Sequence, residues 1–86
     1  MTLYRIYTEA VNVDWIVDTA AARFPAFTVL RADGFWQGNS ESSLVLEFLT
    51  EEHNAAAVNL LAHAIKVHNA QEAVLVVSQK VDSTLI

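Results

Sequence analysis

The chain has 86 residues, of which 53% are hydrophobic and only 17% charged, with a formal net charge of −5 and no cysteine. That length fits a single domain spanning 1–86. The acidic balance excludes a phosphate-backbone binder, which needs a basic stripe, and disfavours anionic membrane surfaces, so neither a nucleic acid nor a membrane is an expected partner.

Without cysteine there are no disulfides, thiolate metal sites or cysteine nucleophiles, which suits a cytoplasmic protein. The opening Met1-Thr2-Leu3-Tyr4-Arg5 lacks a basic region followed by an apolar run, so no signal peptide is expected. The longest purely apolar run, Ala73 to Val77, is too short to span a bilayer. A domain this small buries only roughly 60 to 65% of its unfolded surface, and so sparse a charge complement leaves apolar surface for another chain to cover.

Leu3 to Thr8 reads as a strand, rich in aromatic and β-branched residues. Asn12 then serves as an N-cap for a helix from Val13 to Phe24, with Val13, Ile16, Ala20 and Phe24 on one face. Asp14 in its first turn and Arg23 in its last suit the helix dipole, and Pro25 stops it. Ala26 to Ala32 reads as the second strand. Asp33-Gly34 is either a hairpin turn or a bulge; the bulge is preferred, with the strand resuming through Gln37 and turning within the polar cluster Gly38 to Ser43. Leu44 to Thr50 is the third strand. Glu51 to Asn69 is the longest helix, with Val58, Leu61, Ala62 and Ile65 as its core stripe and Leu60 and Val67 opposite. Ala73 to Val81 is the last strand. The order β-α-β-β-α-β predicts an α+β ferredoxin-like fold, an antiparallel sheet with both helices on one face.

Strand alternation divides the sheet residues into two sets. Tyr4, Ile6, Thr28, Leu30, Ala32, Leu44, Leu46, Phe48, Ala73, Leu75 and Val77 form an almost wholly apolar set, assigned to the helix side. The opposite set holds Leu3, Tyr7, Phe27, Val29, Val45, Leu49, Val74, Val76 and Ser78, with Arg5, Arg31, Glu47 and Lys80 among them. A sheet face meeting water is mostly polar. This one is mostly apolar, so it is expected to pack against copies of itself, with Glu47 pairing to Arg5 or Arg31.

Two segments carry a family resemblance. Phe35-Trp36-Gln37-Gly38, then Glu41 and Leu44-Val45-Leu46-Glu47-Phe48-Leu49-Thr50, resembles a hairpin of CutA proteins. Ile65-Lys66-Val67-His68-Asn69-Ala70-Gln71-Glu72-Ala73 resembles the CutA segment that leads from the second helix into the next strand. Together they cover about a third of the chain. CutA proteins and the related PII signalling proteins are ferredoxin-like trimers with ligand sites in the clefts between subunits. The resemblance implies a homotrimer that binds a small anionic ligand or a divalent metal, with no cofactor specified. Arg31, Trp36, Glu47 and Lys80 would line or support that cleft, and His68, which matches the family histidine, would be the metal candidate.

His53, His63 and His68 share one helix but point in different directions, so the helix alone cannot gather them around one metal. Ser40, Ser42 and Ser43 have no base nearby in sequence and read as turn residues. Trp15 lies off its helix's core stripe and is expected at partial burial or an interface. With no nucleophile–base pair legible, the expected function is non-enzymatic: a binding or sensing module acting as a homo-oligomer. The alternatives are a protein-interaction oligomer without a small ligand and, third, an enzyme with an intersubunit site using Glu47 or His68.

Overall fold

The computed structural model describes residues 1–86. The elements follow the predicted order: β1 (Thr2–Glu9), α1 (Val13–Arg23), β2 (Thr28–Trp36), β3 (Asn39–Thr50), α2 (Ala55–His68) and β4 (Leu75–Lys80), with a short 3-10 turn at Glu52–Asn54 before α2. The four strands form one sheet in the order β2-β3-β1-β4, and every neighbouring pair is antiparallel. This is the ferredoxin-like α+β arrangement.

The core joins one side of the two central strands to the two helices. Tyr4 and Ile6 of β1 stand beside Phe48 and Leu46 of β3, and over them lie Ile16 and Ala20 of α1 and Val58, Leu61, Ala62 and Ile65 of α2. Phe24 packs on Phe48 with ring centroids 4.5 Å apart. The predicted stripes of both helices are therefore the buried ones. The Tyr4 hydroxyl donates to the Glu52 carbonyl at 3.0 Å, tying the central strand to the turn that starts α2.

Asn12 does not cap α1. It adopts a left-handed conformation (φ 51°) without a side-chain cap bond, and its amide donates to Asn69 Oδ1 at 2.9 Å. Asn69 Nδ2 donates in turn to the Val11 carbonyl at 2.8 Å. The pair clasps the start of α1 to the end of α2. Beside it Trp15 stacks flat on His68, with ring centroids 3.7 Å apart and planes 4° from parallel.

The outer strands carry a second correction. Val29 pairs with Leu46 and Val76 with Ile6, which puts Phe27, Val29, Val74 and Val76 on the helix side. Leu30 and Leu75, expected beneath the helices, lie on the open side instead. The assignment was right for β1 and β3 and inverted for β2 and β4. With a side-chain period of two, a register error of one residue moves every side chain to the other face. Both sets are apolar, so hydrophobicity alone could not fix the register. Nor is there a bulge at Asp33-Gly34, because β2 and β3 pair without interruption from Thr28↔Glu47 to Trp36↔Asn39. The polar stretch that includes Ser40, Ser42 and Ser43 is therefore strand, and the turn is only Gln37-Gly38.

Candidate functional site

Gln37 and Gly38 both have positive φ, 49° and 82°. Two such residues joining antiparallel strands make a type I′ hairpin, whose twist matches that of the flanking strands. β1 stops pairing with β3 at Glu9↔Ser43, so beyond that point β2 and β3 continue as a two-stranded ribbon past the end of the sheet. Trp36 sits at the end of this ribbon, and its indole N–H donates to Glu72 Oε2 at 3.1 Å. Glu72 belongs to the loop between α2 and β4, so the bond ties the hairpin to the other side of the sheet.

Beneath this tie lies a cavity of about 280 Å³, with Tyr7, Glu9, Gly34, Glu41, Ser43 and Leu75 among its lining together with Trp36 and Glu72. Gly34 leaves room for the Ser43 side chain on its floor, because a Cβ there would collide with Ser43 Oγ. Gln71 braces the wall: its side-chain carbonyl accepts from the Thr8 hydroxyl at 3.0 Å and from the Glu9 backbone N–H at 3.2 Å. No arginine, lysine or histidine lines the cavity. Glu41 is held above the usual carboxylate range, first by its hydrogen bond to Glu9, then by desolvation and by the charge on Glu9.

Further along the open side, Arg5 Nε donates to Glu47 Oε2 at 2.7 Å and Arg5 Nη1 to Gln79 Oε1 at 3.0 Å. The hydrogen bond to Glu47 raises the pKa of Arg5. The expected pairing of Glu47 with Arg5 thus forms within one chain. Between this ion pair and the cavity the surface is apolar. Leu30 and Leu75 are exposed there, Leu75 at 58%, at the two ends of a row with Val45 and Tyr7 between them, and Val45 is only 7% exposed although no helix covers it; Leu49, also exposed, lies beyond the ion pair beside Leu3.

Within one chain the residues assigned to a cleft do not converge. Trp36 and Glu47 lie at opposite ends of the hairpin; Glu47 pairs with Thr28, about 27 Å along β2 from Trp36 at 3.4 Å per residue. Arg31 pairs with Leu44 and Lys80 with Thr2, which places both on the helix-side register, exposed at the sheet's edges. His68 is engaged with Trp15, and no three histidine, cysteine, aspartate or glutamate side chains are grouped to hold a metal. Of the expected site residues only Trp36 lines the cavity. Sequence reasoning missed Glu9, Glu72 and Gly34 as its partners, and read Glu41 only as part of a family pattern. A turn placed at Gln37-Gly38 would have set Gly34 opposite Glu41 and found half the cavity.

Comparison with known proteins defines the class of fold. No family model matches the sequence, and no curated protein matches it. Among solved structures it is similar to a DUF3240 family protein from Shewanella baltica, with a TM-score of 0.73, 18% identity and coverage of 99% of this chain and 96% of that one. It is also similar to CPII, a nitrogen regulatory PII-like protein from Thiomonas intermedia solved with ADP, AMP and bicarbonate (TM-score 0.68, 11% identity, 98% and 94% covered). The divalent cation tolerance protein CutA1 from Thermus thermophilus aligns at a TM-score of 0.64 with 16% identity, covering 99% and 88%. A phage SAM lyase aligns at 0.64 with 21% identity, covering 91% and 78%. The resemblance to CutA and PII-like proteins is therefore one of fold, and that fold supports binding proteins and at least one enzyme.

Proposed function

We propose that the chain is a non-enzymatic binding or sensing module of the cytoplasm, working as a homo-oligomer through the open side of its sheet, with a small ligand held beneath Trp36. The resemblance to CutA and PII proteins favours a trimer. The observation that carries this reading is the apolar middle of the open side. Leu30 and Leu75 stand exposed at the ends of the Val45–Tyr7 row and Leu49 beyond the Arg5–Glu47 pair, whose charges cancel each other. Covering such side chains contributes on the order of 1.5 to 3 kcal/mol each. No helix is long and apolar enough to cross a membrane.

Leu49→Asp tests the oligomer, because Leu49 is exposed in a single chain and its replacement costs the monomer little. The variant is expected to keep its helical and strand content while losing concentration-dependent melting. Identical melting of variant and parent at every concentration would contradict the shared interface. A second reading, a protein-docking oligomer without a small ligand, is favoured by Phe35, which stands 78% exposed at the hairpin tip. Thermal shift with nucleotides, divalent metals and amines separates the two, since a ligand that binds only the folded state raises the melting temperature.

A further inference from the structure

We infer that the cavity beneath Trp36 takes a small organic cation bearing two amino groups, held by Glu9, Glu41 and Glu72 against the faces of Trp36 and Tyr7. This rests on the proposal that the cavity is a ligand site and names the class of ligand.

Concavity and aromatic lining make the cavity a candidate site; the carboxylates only choose the charge of what enters. About 280 Å³ lies near the lower end of small-molecule pockets, which suits a compact ligand. Trp36 and Tyr7 are in the lining, and aromatic rings attract ammonium groups through the ring quadrupole. Three carboxylates and no basic side chain in the lining repel an anion. The chain has five arginines and lysines, and none can neutralise the cavity from within. Arg5 is held by Glu47, Arg31 and Lys80 sit at the sheet's edges, Arg23 ends α1, and Lys66 lines a separate cavity against β4.

The spacing of the acids distinguishes a metal from an organic cation. No three acidic or histidine side chains are grouped closely enough to share one metal ion. Glu9 pairs with Ser43, and Glu41 stands two residues from Ser43 on the same side of β3, so these two carboxylates are neighbours in the lining, whereas Glu72 approaches from the α2–β4 loop and is fixed by the Trp36 indole. A point charge meets one of these groups; a chain with an ammonium at each end meets both. One ammonium lies between Glu9 and Glu41, and the other lies at Glu72 beside the indole.

The test titrates the protein with putrescine, butylamine and AMP, read by the Trp36 indole N–H resonance, which is assigned by its loss in Trp36→Phe. Putrescine is expected to shift that resonance saturably, and at least tenfold more tightly than butylamine. Glu72→Gln and Glu41→Gln should each weaken it about tenfold while melting as cooperatively as the parent. Equal affinity for the parent and both variants would mean loose association with an acidic surface and would overturn the inference. Binding of AMP without putrescine would overturn the ligand class and leave the site standing. If neither binds and Glu72→Gln dissociates the oligomer, a basic side chain of a second copy fills the cavity and the inference falls. If neither binds and the oligomer persists, the cavity is not a ligand site and the proposed function loses its ligand as well.

Discussion

The two sides of the sheet are built from the same strands and follow different rules. On the helix side Ile6, Leu44 and Leu46 are fully buried, and the core closes within one chain. On the open side, Tyr7 and Val45 stand one residue along from these and Leu30 stands beside Val45; Tyr7 and Leu30 remain exposed while Val45 is buried by its neighbours. Strand alternation ordinarily separates an apolar side from a polar one. Here it separates a finished apolar side from an unfinished one. The difference teaches that the apolar excess of this composition is concentrated on a surface that a second chain can complete.

Substitutions can break that contrast in order of expected size. Phe48→Ala removes a ring packed between Phe24 and Phe27 and should cost about 3 to 5 kcal/mol, read by urea denaturation at low concentration. A cost below about 1 kcal/mol would mean the helix side is not the closed core. On the open side, Leu49→Asp should cost the monomer far less and cost the assembly most. Val45→Asp is a weaker probe of assembly, because Val45 is already buried and an unpaired carboxylate there would also destabilise the single chain.

Gly34→Ala probes the ribbon where the open side becomes the cavity. The added methyl meets Ser43 Oγ, so a destabilisation of about 1 to 3 kcal/mol is expected. Ser43→Ala in the same chain should recover most of it, since the Ser43 Cβ lies at an ordinary 3.4 Å from that methyl. If the double variant is no better than the single one, the Ser43 hydroxyl does not stand over Gly34 as described. A double-mutant cycle on melting free energies measures the difference.

The smallest effect is electrostatic. Glu41 has a raised pKa in the folded chain, so folding takes up protons at this group. Its contribution is fully present below the ordinary glutamate pKa and is lost as pH rises through the raised folded value. Melting temperature should therefore gain slightly on mild acidification from neutral pH, and Glu41→Gln should melt slightly higher than the parent at neutral pH and lose that dependence. An unchanged pH profile in the variant would remove Glu41 as its source.

Most of the fold was legible because the helices and central strands each carried one unambiguous pattern. Val58, Leu61, Ala62 and Ile65 repeat at helical spacing, and Tyr4 and Ile6 flank Arg5 in β1 as Leu46 and Phe48 flank Glu47 in β3. The outer strands were ambiguous because Val29 and Leu30, or Leu75 and Val76, are equally apolar, and only pairing to a neighbour decides between them. Asn12 misled because cap residues are also among those that tolerate a left-handed backbone, and a partner 57 positions away decided its role. The cavity was least legible, since Glu9, Glu41 and Glu72 come to line one cavity only after the hairpin register and the Trp36 tie are set. The one charge pair on the open side, Arg5 with Glu47, could be anticipated because both residues stand on central strands whose faces were assigned correctly.

Absolute mass in solution, measured by light scattering on a gel-filtration column across a dilution series, tests the unfinished side most directly. A mass of three chains that persists on dilution and falls to one chain in Leu49→Asp is the predicted result. A parent protein that runs at one chain mass at every concentration would contradict a shared sheet face.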